Sequence, residues 1–190
     1  MTGLFLDLKI CVVIAAIIML SVVAVGRLVD MFDGLLMSKL ADASGRGIAK
    51  FILNRVMFMG VVFHELSHAL LAILTGAHVT KISCFVLFSK DKLGYVNFET
   101  RGGNIKQAIQ RCLVSCAPVL TGFITIPIFA LAVLNPSYAI WAKLIFGYIA
   151  ISILCHMSMS KADLDLYSKG SLFAYPVLIG VVLVAKYLFF

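Results

Sequence analysis

Charge is what this chain has least of. Only 13% of its 190 residues are Asp, Glu, Lys or Arg, and 62% are hydrophobic. A soluble domain carries about 25% charged and about 45–50% apolar residues. An ordinary soluble domain is therefore excluded. A mean hydropathy of +1.07 points to a single membrane domain over residues 1–190, with no room for a separate soluble one. A basic soluble face is missing too, although the net charge is +7. Lys9, Arg27, Lys50, Arg55, Lys106, Arg111, Lys143 and Lys161 stand at the ends of apolar runs, where they can reach lipid headgroups. The basicity is read as bilayer anchoring, and no nucleic-acid partner is expected. CxxC is absent. Four of the five cysteines, Cys11, Cys84, Cys112, Cys116 and Cys155, sit in apolar runs, so they read as small buried side chains. The N-terminus lacks a basic n-region and a small-residue cleavage site, and is expected to stay as a first span. Internal repeats and low-complexity segments are not seen.

What is present is a set of five apolar stretches. Spans are expected at about 9–29, 51–77, 107–134, 139–160 and 170–189, each with at least the roughly 20 residues a crossing needs. Residues 27–49, with Gly34, Gly45 and Gly47, read as an interfacial or loosely structured linker. Asn135-Pro136-Ser137-Tyr138 reads as a tight turn, and 161–169 as a short polar connection. Residues 79–100 are different. A β-branched and aromatic run from Val79 to Phe88 leads to Ser89-Lys90-Asp91-Lys92, and Leu93 to Phe98 resumes the extended pattern. This predicts a β-hairpin. The expected fold class is an α-helical membrane protein, multi-pass in the cell membrane, with about five transmembrane helices and a small β-hairpin after the second. Charge bias leaves the orientation open: residues 27–55 and 77–106 each hold five Lys and Arg.

Inside the second span stands His64-Glu65-Leu66-Ser67-His68. On a helix, residues i and i+4 share a face about 6 Å apart along the axis. Two imidazoles placed so can converge on one Zn²⁺. Glu65 lies beside them, able to reach a water without being a ligand. Three ionisable side chains in an apolar span are costly, about 2.5–3.5 kcal/mol for a central charge, so a random apolar helix should not contain them. A third ligand must come from elsewhere. His78 follows Gly76 and fits a residue leaving the membrane. If the fourth span continues, His156, Ser160 and Asp163 share one face. Asp163 is the favoured ligand, with His156 as its partner or replacement and Asp165 as a further alternative.

Gly60 to Leu70 around His64-Glu65-Leu66-Ser67-His68, the hairpin, Ser115-Cys116-Ala117-Pro118 in the third span and the Asp after the fourth together resemble the site-2 protease family of intramembrane zinc metalloproteases, in a compact bacterial form. The resemblance covers roughly residues 50–170. The family's Asn-Pro-Asp-Gly-like ligand string is replaced here by Ser160-Lys161-Ala162-Asp163. The resemblance implies zinc on His64, His68 and Asp163, with Glu65 as base and then proton donor. It implies hydrolysis of peptide bonds in or near the spans of a membrane protein, typically one with a single span. No PDZ-like insertion is present, so filtering falls to the hairpin, the spans or a regulatory membrane partner. The stretch Leu93 to Phe98 is the candidate edge for an extended substrate. The competing expectation is a non-catalytic zinc-binding scaffold or a metal transporter. A transporter calls for ionisable residues in several spans, and the first, third and fifth have essentially none.

Overall fold

The computed structural model describes residues 2–84 and 93–189, with side chains from Asp7 onward. Helices dominate: α1 (Thr2–Ser44), α2 (Arg46–Phe51) running into a π-turn at Ile52–Val56, α3 (Phe58–Leu74), α4 (Asn104–Ser115), α5 (Ala117–Leu134), α6 (Ile140–Leu154) and α7 (Lys161–Phe189). Strands β1 (His78–Ser83) and β2 (Tyr95–Glu99) pair antiparallel between α3 and α4, with Thr80 bulged between Val79 and Lys81. The hairpin thus falls where the alternation placed it. Its expected turn, Ser89 to Lys92, lies outside the described residues.

Among the described residues, three helical stretches are long and apolar enough to cross a bilayer: Asp7–Ser44, Ala117–Leu134 and Lys161–Phe189. A fourth counts if Arg46–Val56 and Phe58–Leu74, bent by 51°, form one broken span. At 15 residues, α6 reaches only about 22 Å, short of a hydrocarbon core of about 30 Å. The surface fits a lipid environment. Leu20, Ile124, Leu131, Trp141, Leu144 and Leu172 are all highly exposed, which a water-facing surface tolerates poorly.

Three connections differ from expectation. Residues 27–44 are helix, not linker, because a run rich in Leu, Met, Lys and Ala with a lone Gly34 propagates α1. The helix stops at Gly45, whose positive φ of 86° and N–H to the Ala41 carbonyl at 2.8 Å close it. The expected span 107–134 is divided at Cys116. The polar α4 ends there, and Pro118 in the first turn starts α5. The expected polar connection 161–169 is instead the first turns of α7.

Packing follows from polar stitches. Tyrosines zip α7 antiparallel to α1: Tyr167 Oη donates to the Met19 carbonyl at 3.0 Å and Tyr175 Oη to that of Val12 at 2.9 Å. Tyr187 Oη meets the Asp7 carboxylate at 3.2 Å, and Lys186 pairs with the same carboxylate. The bend before α3 frees backbone groups that lipid cannot satisfy. Gly60 N donates to the Met57 carbonyl at 3.1 Å, and Ser152 of α6 adds a second bond to each, its Oγ accepting from Gly60 N at 2.8 Å and donating to the Met57 carbonyl at 2.7 Å. Only glycine fits at 60, since a Cβ would lie 1.9 Å from the Ser152 carbonyl oxygen. Gln110, fully buried, donates to the Thr75 carbonyl at 3.0 Å and accepts from Arg101 N at 2.8 Å. It ties the end of α3 to the chain returning from the hairpin.

Candidate metal centre

His64 and His68 project from one face of α3, as the i, i+4 spacing requires. Their Nε2 atoms stand 3.0 Å apart. Each Nδ1 faces a backbone carbonyl, that of His156 at 2.6 Å for His64 and that of Val114 at 2.7 Å for His68. A carbonyl only accepts, so each Nδ1 carries the proton and each Nε2 presents a lone pair. Two such lone pairs at 3.0 Å repel unless a cation lies between them. The Asp163 carboxylate faces the same point, with Oδ1 3.5 Å from His68 Nε2 and Oδ2 3.9 Å from His64 Nε2. One ligand atom from each residue lies within 4.8 Å of the others. Tetrahedral ligands at about 2.0–2.1 Å from a zinc ion are about 3.3 Å from one another. The three separations bracket that figure, and two imidazoles with a carboxylate are a donor set that zinc accepts. The residues fit a metal ion of this size.

Asp163 reaches the site by a route other than the expected one. The fourth helix does not continue: α6 ends at Leu154, and Asp163 sits in the first turn of α7. Ser160 caps that helix. Its carbonyl accepts from Leu164 N at 3.0 Å, and its Oγ accepts from Asp163 N at 3.2 Å. The Asp163 Oδ2 in turn accepts from Ser160 N at 2.9 Å and Oγ at 2.6 Å. This is a capping box with Asp in the third position. The pattern Ser-x-x-Asp before an apolar run was open to reading from sequence. It places Asp163 on a new helix.

His156 is not brought into the ligand cluster. Its ring Nδ1 bonds the Ser152 carbonyl at 2.9 Å, while its own carbonyl orients His64. Asp165 is exposed and outside the cluster. His78 is exposed in β1, opposite Glu99.

Glu65 is buried next to the histidines, under the hairpin. A Cβ at Gly94 would lie 2.6 Å from Glu65 Cγ and 3.0 Å from the Ser83 carbonyl oxygen, so the chain entering β2 lies directly on the Glu65 side chain. The neighbouring Cys84 thiol is raised above its usual value, first by burial and then by the Glu65 charge. A cavity of about 860 Å³ opens onto His64, Glu65, His68 and Asp163. Its other walls come from Asp33 and Met37 of α1, Leu53 and Asn54 of the π-turn, and Leu93 to Val96 of the hairpin. Neither Asn54 nor Asp33 stands out in the sequence, because only the fold brings them to the site, and Gly94 stands out there only as part of the candidate edge Leu93 to Phe98. Comparison of the chain with protein-family models, with curated proteins and with solved structures finds no match.

Proposed function

We propose that this protein is a zinc metalloendopeptidase that cleaves peptide bonds in or near transmembrane segments. The observation that carries the reading is the convergence of two Nδ1-anchored imidazoles, on a helix within a bent apolar pair and with Glu65 beside them, with the Asp163 carboxylate from the start of α7. In this reading the bent pair also crosses the membrane, and α6 does so as part of the longer stretch 139–160, giving about five crossings in the cell membrane. His64, His68 and Asp163 would hold the zinc ion, which supplies Lewis acidity toward a carbonyl and toward water. Glu65 takes the proton of the attacking water as the C–O bond forms. It returns that proton to the leaving nitrogen as the C–N bond breaks. The apolar stem of α3 and the hairpin over Glu65 keep bulk water from the carboxylate, which favours proton transfer.

A substrate helix has its amides tied up internally, so it must unwind before attack. Strand β2 lines the cavity and belongs to a sheet of two strands among the described residues. An extended substrate segment could add to it through main-chain bonds. The expected partners are a single-span membrane protein as substrate and a regulatory membrane partner, within the bilayer. The test is purified full-length protein in detergent with candidate single-span substrates, compared with Glu65→Gln. Cleavage by the parent alone, with one zinc ion in both proteins, supports the reading. Equal cleavage by both sinks it.

A further inference from the structure

Past Gly26, α1 carries Asp30, Asp33 and Asp42. Asp30 pairs with Arg27 at 3.3 Å on the exposed face. Asp33 is different. Its Oδ1 is sealed from solvent and accepts no hydrogen bond among the described residues. With Met37, it is the contribution of α1 to the wall of the cavity that holds His64, Glu65, His68 and Asp163. A carboxylate oxygen sealed without a donor is destabilising, and such groups are rare unless something supplies the missing partner.

The cavity wall does not supply it. The Ser160 hydroxyl is taken by Asp163 and the His156 ring by the Ser152 carbonyl. Lys161 is the cation among the described lining residues, and no ion pair joins it to Asp33. Nor does packing require an aspartate there. The tyrosines that hold α1 to α7 act at Val12 and Met19, about four turns and more before it. Of the three carboxylates on the wall, Asp163 faces the histidine pair and Glu65 stands beside it. Asp33 is left on the wall, half-buried, with one carboxylate oxygen still without a donor.

We propose that Asp33 anchors a subsite for a cationic side chain, the ammonium of Lys or the guanidinium of Arg, on the polypeptide that occupies the cavity. The identification of that polypeptide as a substrate rests on the proteolytic reading above. The chemistry suits a membrane-protein ligand. Lys and Arg flank transmembrane segments at the membrane surface, so a segment unwinding from the end of a span brings a basic side chain with it. A sealed carboxylate gains most from a charged donor, because hydrogen bonds to charged groups exceed neutral ones.

The experiment uses the full chain in detergent with Glu65→Gln, so that binding is read without cleavage. The probes are fluorescein-labelled synthetic peptides, each with an apolar core of about 20 residues and a polar flank. One guest position, moved along the flank, is Lys, Gln or Glu. The expected result is a preference for Lys over Gln of at least about tenfold in Kd at one guest position. Asp33→Asn should erase that preference, Asp33→Glu should keep it, and Asp33→Lys should reverse it in favour of Glu. Asp30→Asn should leave it unchanged. Zinc content of each variant reports whether the site still folds. A preference for Lys at no position, as expected if water alone serves Asp33, overturns the proposal even if no Asp33 variant folds. So does a preference that survives Asp33→Asn. A charge preference in a protein whose parent cleaves nothing would retain the subsite and discard the protease. Cleavage without any charge preference would do the reverse.

Discussion

Asp163 and Ser160 cap each other. The carboxylate accepts the Ser160 amide and hydroxyl at 2.9 and 2.6 Å, and the hydroxyl accepts the Asp163 amide at 3.2 Å. The same carboxylate lies 3.5 Å from His68 Nε2. One side chain therefore starts a helix and faces the candidate metal site, and the helix start fixes where the carboxylate points.

Ser160→Ala should therefore weaken metal binding without touching a ligand. A lost cap destabilises by about 0.5–2 kcal/mol, and loss of a ligand's outer hydrogen bond lowers metal affinity about 10–100-fold. Ser160→Thr should keep most of both. Zinc titration against a chelator, alongside thermal unfolding in detergent, checks this. Unchanged zinc affinity in Ser160→Ala would show that the cap does not orient the carboxylate.

Zinc content should separate the acidic and imidazole candidates. Asp163→Ala should lose the metal. Asp165→Ala should keep it, being exposed and outside the cluster. His156→Ala should keep it in large part, because the residue orients His64 through a main-chain carbonyl that the substitution retains. Metal lost in His156→Ala alone would reassign the third ligand.

Glu65→Gln should retain zinc and lose cleavage by about 100-fold or more, the usual contribution of a positioned base. The amide keeps the shape of the side chain under Gly94 but cannot take a proton. Product formation measured beside metal content is the check.

Gly94→Ala should act on the same carboxylate from the other side. The added methyl must displace Glu65 or the Ser83 backbone, at 2.6 and 3.0 Å. The expected outcome is a clear loss of turnover with zinc binding largely kept, since His64 and His68 are anchored elsewhere. Equal loss of metal and turnover would mean that the hairpin holds the whole site, not just the base.

Ser152→Ala should loosen the bend before α3. It removes the second partner of Met57 O and of Gly60 N, which keep only their mutual bond at 3.1 Å, and each hydrogen bond lost costs about 0.5–1.5 kcal/mol. Gly60→Ala should be worse, because its methyl meets a backbone oxygen that has no room to move. Unfolding midpoints in detergent should fall in that order.

Much of this was legible along the chain. The helix with its two histidines follows from four-residue spacing, and the hairpin from β-branched alternation ending near Phe98. Both are local patterns with a fixed period. The misreadings share one cause. Residues 27–49 were read as linker because charges interrupt the apolar run, but charge does not stop a helix when no proline intervenes. A shared face for His156, Ser160 and Asp163 depends on the fourth span continuing past 160, which α6, ending at Leu154, does not do. The Ser160 cap, a competing local signal, begins a separate helix instead.

The sequence alone determined the chemistry on offer: two imidazoles one turn apart with a carboxylate between them in an apolar helix, and an aspartate ahead of the last apolar run. Those are matters of residue type and period. Only the tertiary structure decided what surrounds them. The carbonyls of His156 and Val114 hold the imidazoles, Ser152 repairs the bend, Gly94 covers Glu65, and Asp33 faces the cavity from a helix that begins the chain. Each of these contacts joins residues far apart in sequence. No local pattern encodes such a contact, because it exists only once the helices have packed.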